Sequence, residues 1–385
     1  MKTELVPKSV SQYVAVFRGP SASVIPVGTQ MRIDVRRPLG IIIVTFRTRY
    51  IDKGFGQPLP RDLWVDARGP AENLENAVSV FGEAMGSLAI IIAFSTNAAI
   101  GNLEPELVFN NTPRLKARDF LQSSITDEPS IIHVSRKVNL EATIALINTI
   151  NIHPEKARIG RAMSQYSLAL DHWRWGHETL AIAHLYIGME TLTKAVVRCR
   201  LACGISEEEL ACSFGVDPSS LSPGHSLGAA IEVAIRKHLL FQGDEQCYKD
   251  AKDASDGFEH GFMPFDEIRN RARTVRDNTA AYLRKAILDL VAVKEGYRDI
   301  LLAAPYNVPL GNWPVVKYMR GQLLGESDTL AAEGNEYPIL SWRSTIKSVD
   351  FSASGEYVIK SDETFTARLG NGISFQPKSF EVWKP

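Results

Sequence analysis

The stretch from Lys249 to Ala292 constrains the fold most, because it contains two helical patterns that meet at a short polar segment. After that segment, apolar or half-apolar residues recur on steps of three and four: Ile268, Ala272, Val275, Thr279, Leu283, Ile287 and Leu290. This spacing predicts an amphipathic helix with one buried face. Before the segment, Asp253 and Asp256 stand seven and four residues ahead of His260. The three share one helical face provided that the helix continues past Gly257.

The first 155 residues have the pattern of a sheet covered by a helix. Short apolar runs between Tyr13 and Tyr50 are rich in Ile and Val and are separated by Gly and Pro, which predicts strands. Gly69-Pro70 predicts the start of a helix with Pro in its first turn, and residues 71–96 have an apolar face that would lie across the sheet. We place the end of this N-terminal α/β domain at His153-Pro154, because the residue before Pro is pushed out of helical geometry.

The last 85 residues change character. Residues 301–336 are rich in Pro at their start and predict an ordered linker. From 337 to 385, alternating runs are separated by SGE, DE and GNG, the last of which is a hairpin signal, so we expect a small antiparallel β meander. With residues 156–300 as a central helical bundle, the expected fold class is α+β with several domains.

The charge and cysteine content limit the partners and cofactors. Among 385 residues the formal net charge is −1, so no overall basic field attracts nucleic acid or anionic lipid, and any such binding must be local. Four cysteines do not make a disulfide framework, and Cys199, Cys203, Cys212 and His225 lack the spacing of a zinc site. We expect no disulfide, no metal and no cofactor.

The apolar runs are short. The longest, Leu88 to Phe94, is far below the roughly 20 residues that span a bilayer. No leader pattern opens the sequence, and we expect a cytoplasmic protein without a membrane segment.

Residues 205–222 are similar to the first helix and turn of a helix-turn-helix, with Ala211 and Gly215 at the small-residue positions. The segment that would follow as a recognition helix contains Pro223 and Gly224 and no Arg or Lys to contact bases or phosphates. A helical insertion within the bundle is therefore favoured, and DNA binding is the alternative.

The phrases SDGFEHG and YLRKAILDLV, together with the stretch from Tyr166 to Leu192, resemble the HEPN superfamily, especially bacterial HEPN proteins of anti-phage systems. The resemblance covers roughly residues 156–300. It implies a bundle of four or five helices that forms a homodimer, with an Arg, four to six residues and a His near the two-fold axis. In active members the His acts on the ribose 2′-hydroxyl or the leaving oxygen, and the Arg holds the phosphate. RNA is then cleaved without a metal ion.

This sequence departs from that motif at the Arg. His260 and Gly261 match, but Asp253, Ala254 and Ser255 occupy the three positions where the Arg would stand. A carboxylate at Asp253 would repel a phosphate and not attract it.

Two functional hypotheses follow from the resemblance. In the first, the protein is an HEPN-like effector that acts on RNA by acid-base cleavage in phage defence, with a degenerate motif. The candidate catalytic residues are His260, Asp253, Asp256 and Glu190. The candidate substrate-binding cations are Lys252, Lys249 and Arg269. In the second hypothesis, an inactive HEPN fold dimerises and serves as a scaffold or sensor subunit that binds a protein partner.

Overall fold

The computed structural model describes residues 10–51, 58–125, 135–174, 176–221, 226–304, 307–310, 316–351 and 357–381. Within these ranges the protein is α+β, which confirms the predicted fold class. The strands are β1 Ser11–Gly19, β2 Ser23–Val24, β3 Met31–Arg37, β4 Gly40–Ile51, β5 Leu59–Ala71, β6 Glu104–Asn110, β7 Ala117–Ile125, β8 Arg136–Lys137, β9 Val316–Leu324, β10 Ile339–Phe351, β11 Tyr357–Arg368 and β12 Ser374–Glu381. The α-helices are α1 Leu74–Thr96, α2 Leu140–Ile152, α3 Lys156–Asp171, α4 Glu178–Ala202, α5 Glu207–Ser213, α6 Leu227–Ile235, α7 Glu245–His260, α8 Phe265–Val291 and α9 Glu295–Leu302.

Eight strands form one antiparallel sheet in the order β12-β9-β7-β6-β1-β5-β4-β3. The strands predicted between Tyr13 and Tyr50 are present as β1 to β4. The side chains on both faces of β1 are buried, because a hydrophobic core lies on each side of the strand. Phe17 packs in the core on the α1 side, whereas Val14 and Val16 pack in a second core with Tyr337 and Leu340 from the chain beyond β9.

The start of α1 differs from the prediction. Gly69-Pro70 does not open the helix, because β5 continues to Ala71 and pairs with β1 over this stretch. The side chain of Asn73 caps α1 by accepting a backbone N–H from its first turn. The pairing of β5 with β4 ends at Arg68. Pro70 comes after this residue, so its missing N–H removes no hydrogen bond between β4 and β5. The prediction of Pro in the first helical turn is therefore wrong.

α3, α4, α7 and α8 pack together as a bundle, and α1 packs against α3. The bundle and the sheet consequently share one hydrophobic core. The stripe predicted on α8 is confirmed, since Ile268, Val275 and Ile287 are buried. A Cβ at Gly188 of α4 would lie 2.8 Å from Cδ2 of Leu283, so glycine allows α4 and α8 to approach closely.

The C-terminal strands are connected differently from a simple meander. β10 and β11 form an antiparallel pair, but β12 leaves that pair and joins the large sheet beside β9. Strand β9 itself lies within residues 301–336, where we expected a linker, and it also pairs with β7. Gly370-Asn371-Gly372 therefore connects two sheets and does not close a hairpin. The boundaries between domains stay predictions.

Two of the described helices, α1 and α4, are long and apolar enough to cross a membrane by length and composition. Most of their apolar residues are buried within the protein, as in the core helices of soluble proteins that pass the same test. They are weak support for a membrane span. The expectation of no membrane segment stays a prediction.

The segment between α4 and α7 is helical in short pieces. α5 begins with a capping box formed by Ser206 and Glu209, and a 3-10 turn at Pro218–Ser220 follows. A π-helical turn, Arg236–Leu240, continues α6. Residues 222–225, which include His225 and part of the segment considered as a recognition helix, lie outside the described residues.

Candidate functional site

α7 carries three of the four candidate catalytic residues on one continuous helix that runs through Gly257 to its last residue, His260. Gly257 does not break the helix. It is buried, and a Cβ there would lie 3.2 Å from Cγ1 of Ile268, so the glycine lets α8 pack close to α7. The condition for Asp253, Asp256 and His260 to share one face is therefore met.

His260 lies exposed at the C-terminal end of α7. The helix ends because Gly261 adopts a left-handed conformation with φ of +67° and bonds its N–H to the carbonyl of Gly257 at 3.0 Å. Within the part of the chain that the structure describes, the imidazole of His260 makes no hydrogen bond or ion pair. Its ring nitrogens are open to solvent or to another molecule.

Asp253 binds an arginine of the neighbouring helix. Its carboxylate lies 3.1 Å from Nη1 of Arg271 in α8, and the same nitrogen lies 3.1 Å from Asp250. Nη2 of Arg271 lies 2.9 Å from Glu267, and the hydrogen bond to Glu267 is the main reason why the pKa of Arg271 is raised. Three carboxylates around one guanidinium leave this cluster net negative.

Two of the three candidate cations are also paired. Lys252 bonds to Asp256 one turn further along α7, and this hydrogen bond raises the pKa of the lysine. Arg269 lies 2.8 Å from Asp266. The third candidate, Lys249, is exposed and forms no ion pair with a described residue.

Glu190, the fourth candidate catalytic residue, has different contacts from the three candidates on α7. It is on α4, 3.8 Å from Nη1 of the buried Arg236, which is equally far from Glu232. No hydrogen bond or ion pair joins Glu190 to Asp253 or His260 within the described residues. The contacts of Glu190 therefore belong to a different group of charges, which it forms with Arg236 and Glu232.

Aromatic side chains surround the end of α7. Phe258, Phe262 and Phe265 are 38%, 63% and 55% exposed, and the guanidinium of Arg269 lies 6.0 Å from the centroid of the Phe265 ring. We call the surface formed by these four residues and His260 the α7–α8 corner. The phenylalanines follow one another at steps of four and three residues, a spacing typical of a buried helical face, so their exposure could not be predicted from periodicity.

A histidine cluster lies where α3 ends and α4 begins. The Nδ1 atoms of His172 and His177 are 3.2 Å apart, and the rings of His172 and His184 stack with centroids 5.6 Å apart. Burial is the main reason why the pKa values of His172 and His184 are lowered. The described residues contain no group of three His, Cys, Asp or Glu side chains that could hold a metal ion.

No family model, no curated protein and no solved structure matches this chain. The relationship to the HEPN superfamily therefore stays an interpretation of the sequence phrases.

Proposed function

We propose that this chain is a catalytically inactive HEPN-like subunit that forms a homodimer through the α7–α8 corner and serves as a scaffold or sensor for a protein partner. The observation that carries the proposal is the exposure of Phe258, Phe262 and Phe265 around a single turn. Exposed aromatic residues grouped in this way are typical of the centre of protein interfaces.

A second copy of the chain fits this surface. A two-fold axis brings the same patch of each subunit together, so the patch must be complementary to itself. Arg269 and Asp266 supply both signs of charge beside the phenylalanines. Burying three partly exposed rings on each subunit stabilises association by roughly 6 kcal/mol, which offsets only part of the roughly 4–15 kcal/mol lost on association. A dimer that forms at micromolar concentration needs a net gain of roughly 8 kcal/mol, so the proposed interface must extend beyond the three rings.

Electrostatics argue against cleavage by one subunit. A phosphate oxygen about 5 Å from Asp253 would meet a repulsion of roughly 3 kcal/mol at an effective dielectric constant near 20. The arginine paired with Asp253, Arg271, already binds three carboxylates. Lys249 and Lys252 precede His260 by eleven and eight residues. At about 1.5 Å per residue they lie about 16 and 12 Å from it along the helix axis, too far to hold the same phosphate easily.

The test is an RNA-cleavage assay. We expect labelled single-stranded RNA to be cleaved no faster by the wild type than by His260→Ala. Both proteins should give the same circular dichroism spectrum, which shows that the substitution leaves the fold intact. Rapid cleavage by the wild type that is lost in His260→Ala would contradict the inactive reading.

One observation favours the alternative, an RNA-cleaving effector in phage defence: the exposed imidazole of His260 has no partner among the described residues. In a dimer, a cation for the phosphate could then come from the second subunit, with the exposed Lys249 as the candidate. In that case Lys249→Ala would reduce cleavage as strongly as His260→Ala. A mixture of the two variants would restore part of the activity, because the groups act across the interface.

A further inference from the structure

A cavity of about 190 Å³ lies where α1, α3 and α8 meet the chain that follows α9. Arg284 of α8, Tyr166 of α3 and Asn97 at the end of α1 form its polar wall, with Asn307 opposite. None of the residues that define the α7–α8 corner lines this cavity.

Arg284 is a buried cation without a carboxylate partner. The residue is 3% exposed, and no Asp or Glu of the described chain lies within ion-pair distance. Its Nε donates to the carbonyl of Phe94 at 3.2 Å and its Nη2 donates to the carbonyl of Ser95 at 2.8 Å. These carbonyls are at the negative end of the α1 dipole and offset part of the charge. A guanidinium has five N–H donors, so about three are left for another acceptor.

One neighbouring neutral group, the side-chain amide of Asn307, also has a donor without an acceptor in the described structure. The hydroxyl of Tyr166 donates to Oδ1 of Asn97 at 2.6 Å, and Nδ2 of Asn97 donates to Oδ1 of Asn307 at 2.7 Å. This chain of bonds ends at Asn307, whose buried Nδ2 lies beside the hydroxyl of Tyr166 but forms no well-aligned hydrogen bond in the described structure. A buried donor without an acceptor is unfavourable, and an oxygen-rich ligand would satisfy it.

The mouth of the cavity has its own ion pair. Asp277 lines the cavity, but its side chain is 74% exposed and lies 3.1 Å from Nε of Arg276. The guanidinium of Arg276 in turn lies 4.2 Å from the centroid of Trp173, which also lines the cavity. The carboxylate is therefore at the solvent side and is opposed by a cation, while the buried part of the wall keeps the uncompensated Arg284.

The geometry points to a binding site for a small oxyanion, a carboxylate or phosphate group, held by Arg284 and by Nδ2 of Asn307. Charge-assisted bonds from a guanidinium to such a group are among the strong hydrogen bonds in proteins. The volume is below the roughly 300–1,000 Å³ of pockets for drug-sized ligands, so the whole ligand is small or only its anionic end enters.

Isothermal titration calorimetry tests this site with inorganic phosphate and, separately, with acetate, each at constant ionic strength in chloride. We expect one saturable site per chain for at least one anion. The anion that binds more tightly shows whether the site is suited to a phosphate or to a carboxylate group. At about 10 mM anion a site with a Kd of 1 mM is about 90% occupied, so failure of both anions to saturate at that concentration overturns the proposal.

Two variants separate binding from a purely structural role of Arg284. Ala281 is exposed and lines the cavity, so Ala281→Leu should obstruct the entrance and weaken binding at least tenfold. Asn278→Leu, at an exposed position of the same helix that does not line the cavity, is the matched control and should bind as the wild type does. Equal affinity of the wild type and Ala281→Leu would overturn the assignment.

Asn307→Asp is the second variant. It removes the unused donor and places a carboxylate in the cavity with Arg284, which should abolish anion binding without lowering the melting temperature. If Asn307→Asp still binds the anion with unchanged affinity, the anion binds elsewhere and the proposal is wrong.

Discussion

Replacing Arg271 with alanine removes the guanidinium that holds α7 to α8. Its contacts with Asp250, Asp253 and Glu267 are partly shielded, with the carboxylate side chains 17%, 30% and 48% exposed. Ion pairs of this kind contribute about 0.3–1 kcal/mol each. Without the arginine, Asp250 and Asp253 also repel each other one turn apart, by about 0.3–0.5 kcal/mol. We therefore expect Arg271→Ala to lower the free energy of unfolding by about 2 kcal/mol.

The assay is urea denaturation followed by far-UV circular dichroism, with Arg269→Ala as the matched control. Among the described residues Arg269 makes one ion pair, with an Asp266 side chain that is 83% exposed, so its removal should change the free energy of unfolding by at most about 0.5 kcal/mol. A double-mutant cycle between Arg271→Ala and Asp253→Ala should give a coupling of about 0.5–1 kcal/mol. If the two arginine variants are equally stable, or if the coupling is zero, Asp253 does not act by holding Arg271.

Two further predictions concern burial and packing in the bundle. Burial raises the pKa of Asp171 from 3.8 to about 6, so the folded state binds the proton more tightly than the unfolded state does. Asp171 therefore destabilises the fold increasingly as pH rises from about 4 to about 6. In urea denaturation, Asp171→Asn should be more stable than the wild type by on the order of 2 kcal/mol at pH 7.5 and equally stable at pH 3.5. Gly188→Ala should lower the free energy of unfolding by about 1–3 kcal/mol, because its Cβ would meet Leu283 at 2.8 Å, whereas Gly160→Ala, which meets nothing within 4 Å, should raise it by about 0.5–1 kcal/mol.

Local patterns were sufficient for most helices and strands. The three- and four-residue steps of α8 predict its buried face because a helix repeats every 3.6 residues wherever it lies. The strands of the N-terminal half follow from runs of Ile and Val between Gly and Pro, because β-branched side chains favour strands. The local prediction of the start of α1 was wrong. Gly69-Pro70 predicts the first turn of a helix, but the pairing of β5 with β1 keeps these residues in a strand.

Contacts between distant parts of the chain could not be predicted in the same way. β9 pairs with β7 across about two hundred residues, and no local property of Val316–Leu324 specifies that neighbour. The contact of Asp253 with Arg271 also joins two helices. The motif of the resemblance has its Arg before the His, and of the arginines after His260 only Arg269 was a candidate, so the role of Arg271 was not predicted. The exposure of Phe262 depends on what packs against the turn between α7 and α8, which periodicity does not describe.

The proposed homodimer forms through the α7–α8 corner of each subunit. Sedimentation velocity at micromolar concentration tests it with the wild type, Phe262→Ser and a control, Ile152→Ser. Phe262 lies between α7 and α8, outside both helices, so its replacement should leave the bundle intact. Ile152, at the end of α2, is 84% exposed and is not part of the corner.

We predict that the wild type and Ile152→Ser sediment as dimers and that Phe262→Ser shifts toward the monomer, with all three giving the same circular dichroism spectrum. A wild type that sediments as a strict monomer, or a Phe262→Ser variant that dimerises as well as the wild type, would contradict the account.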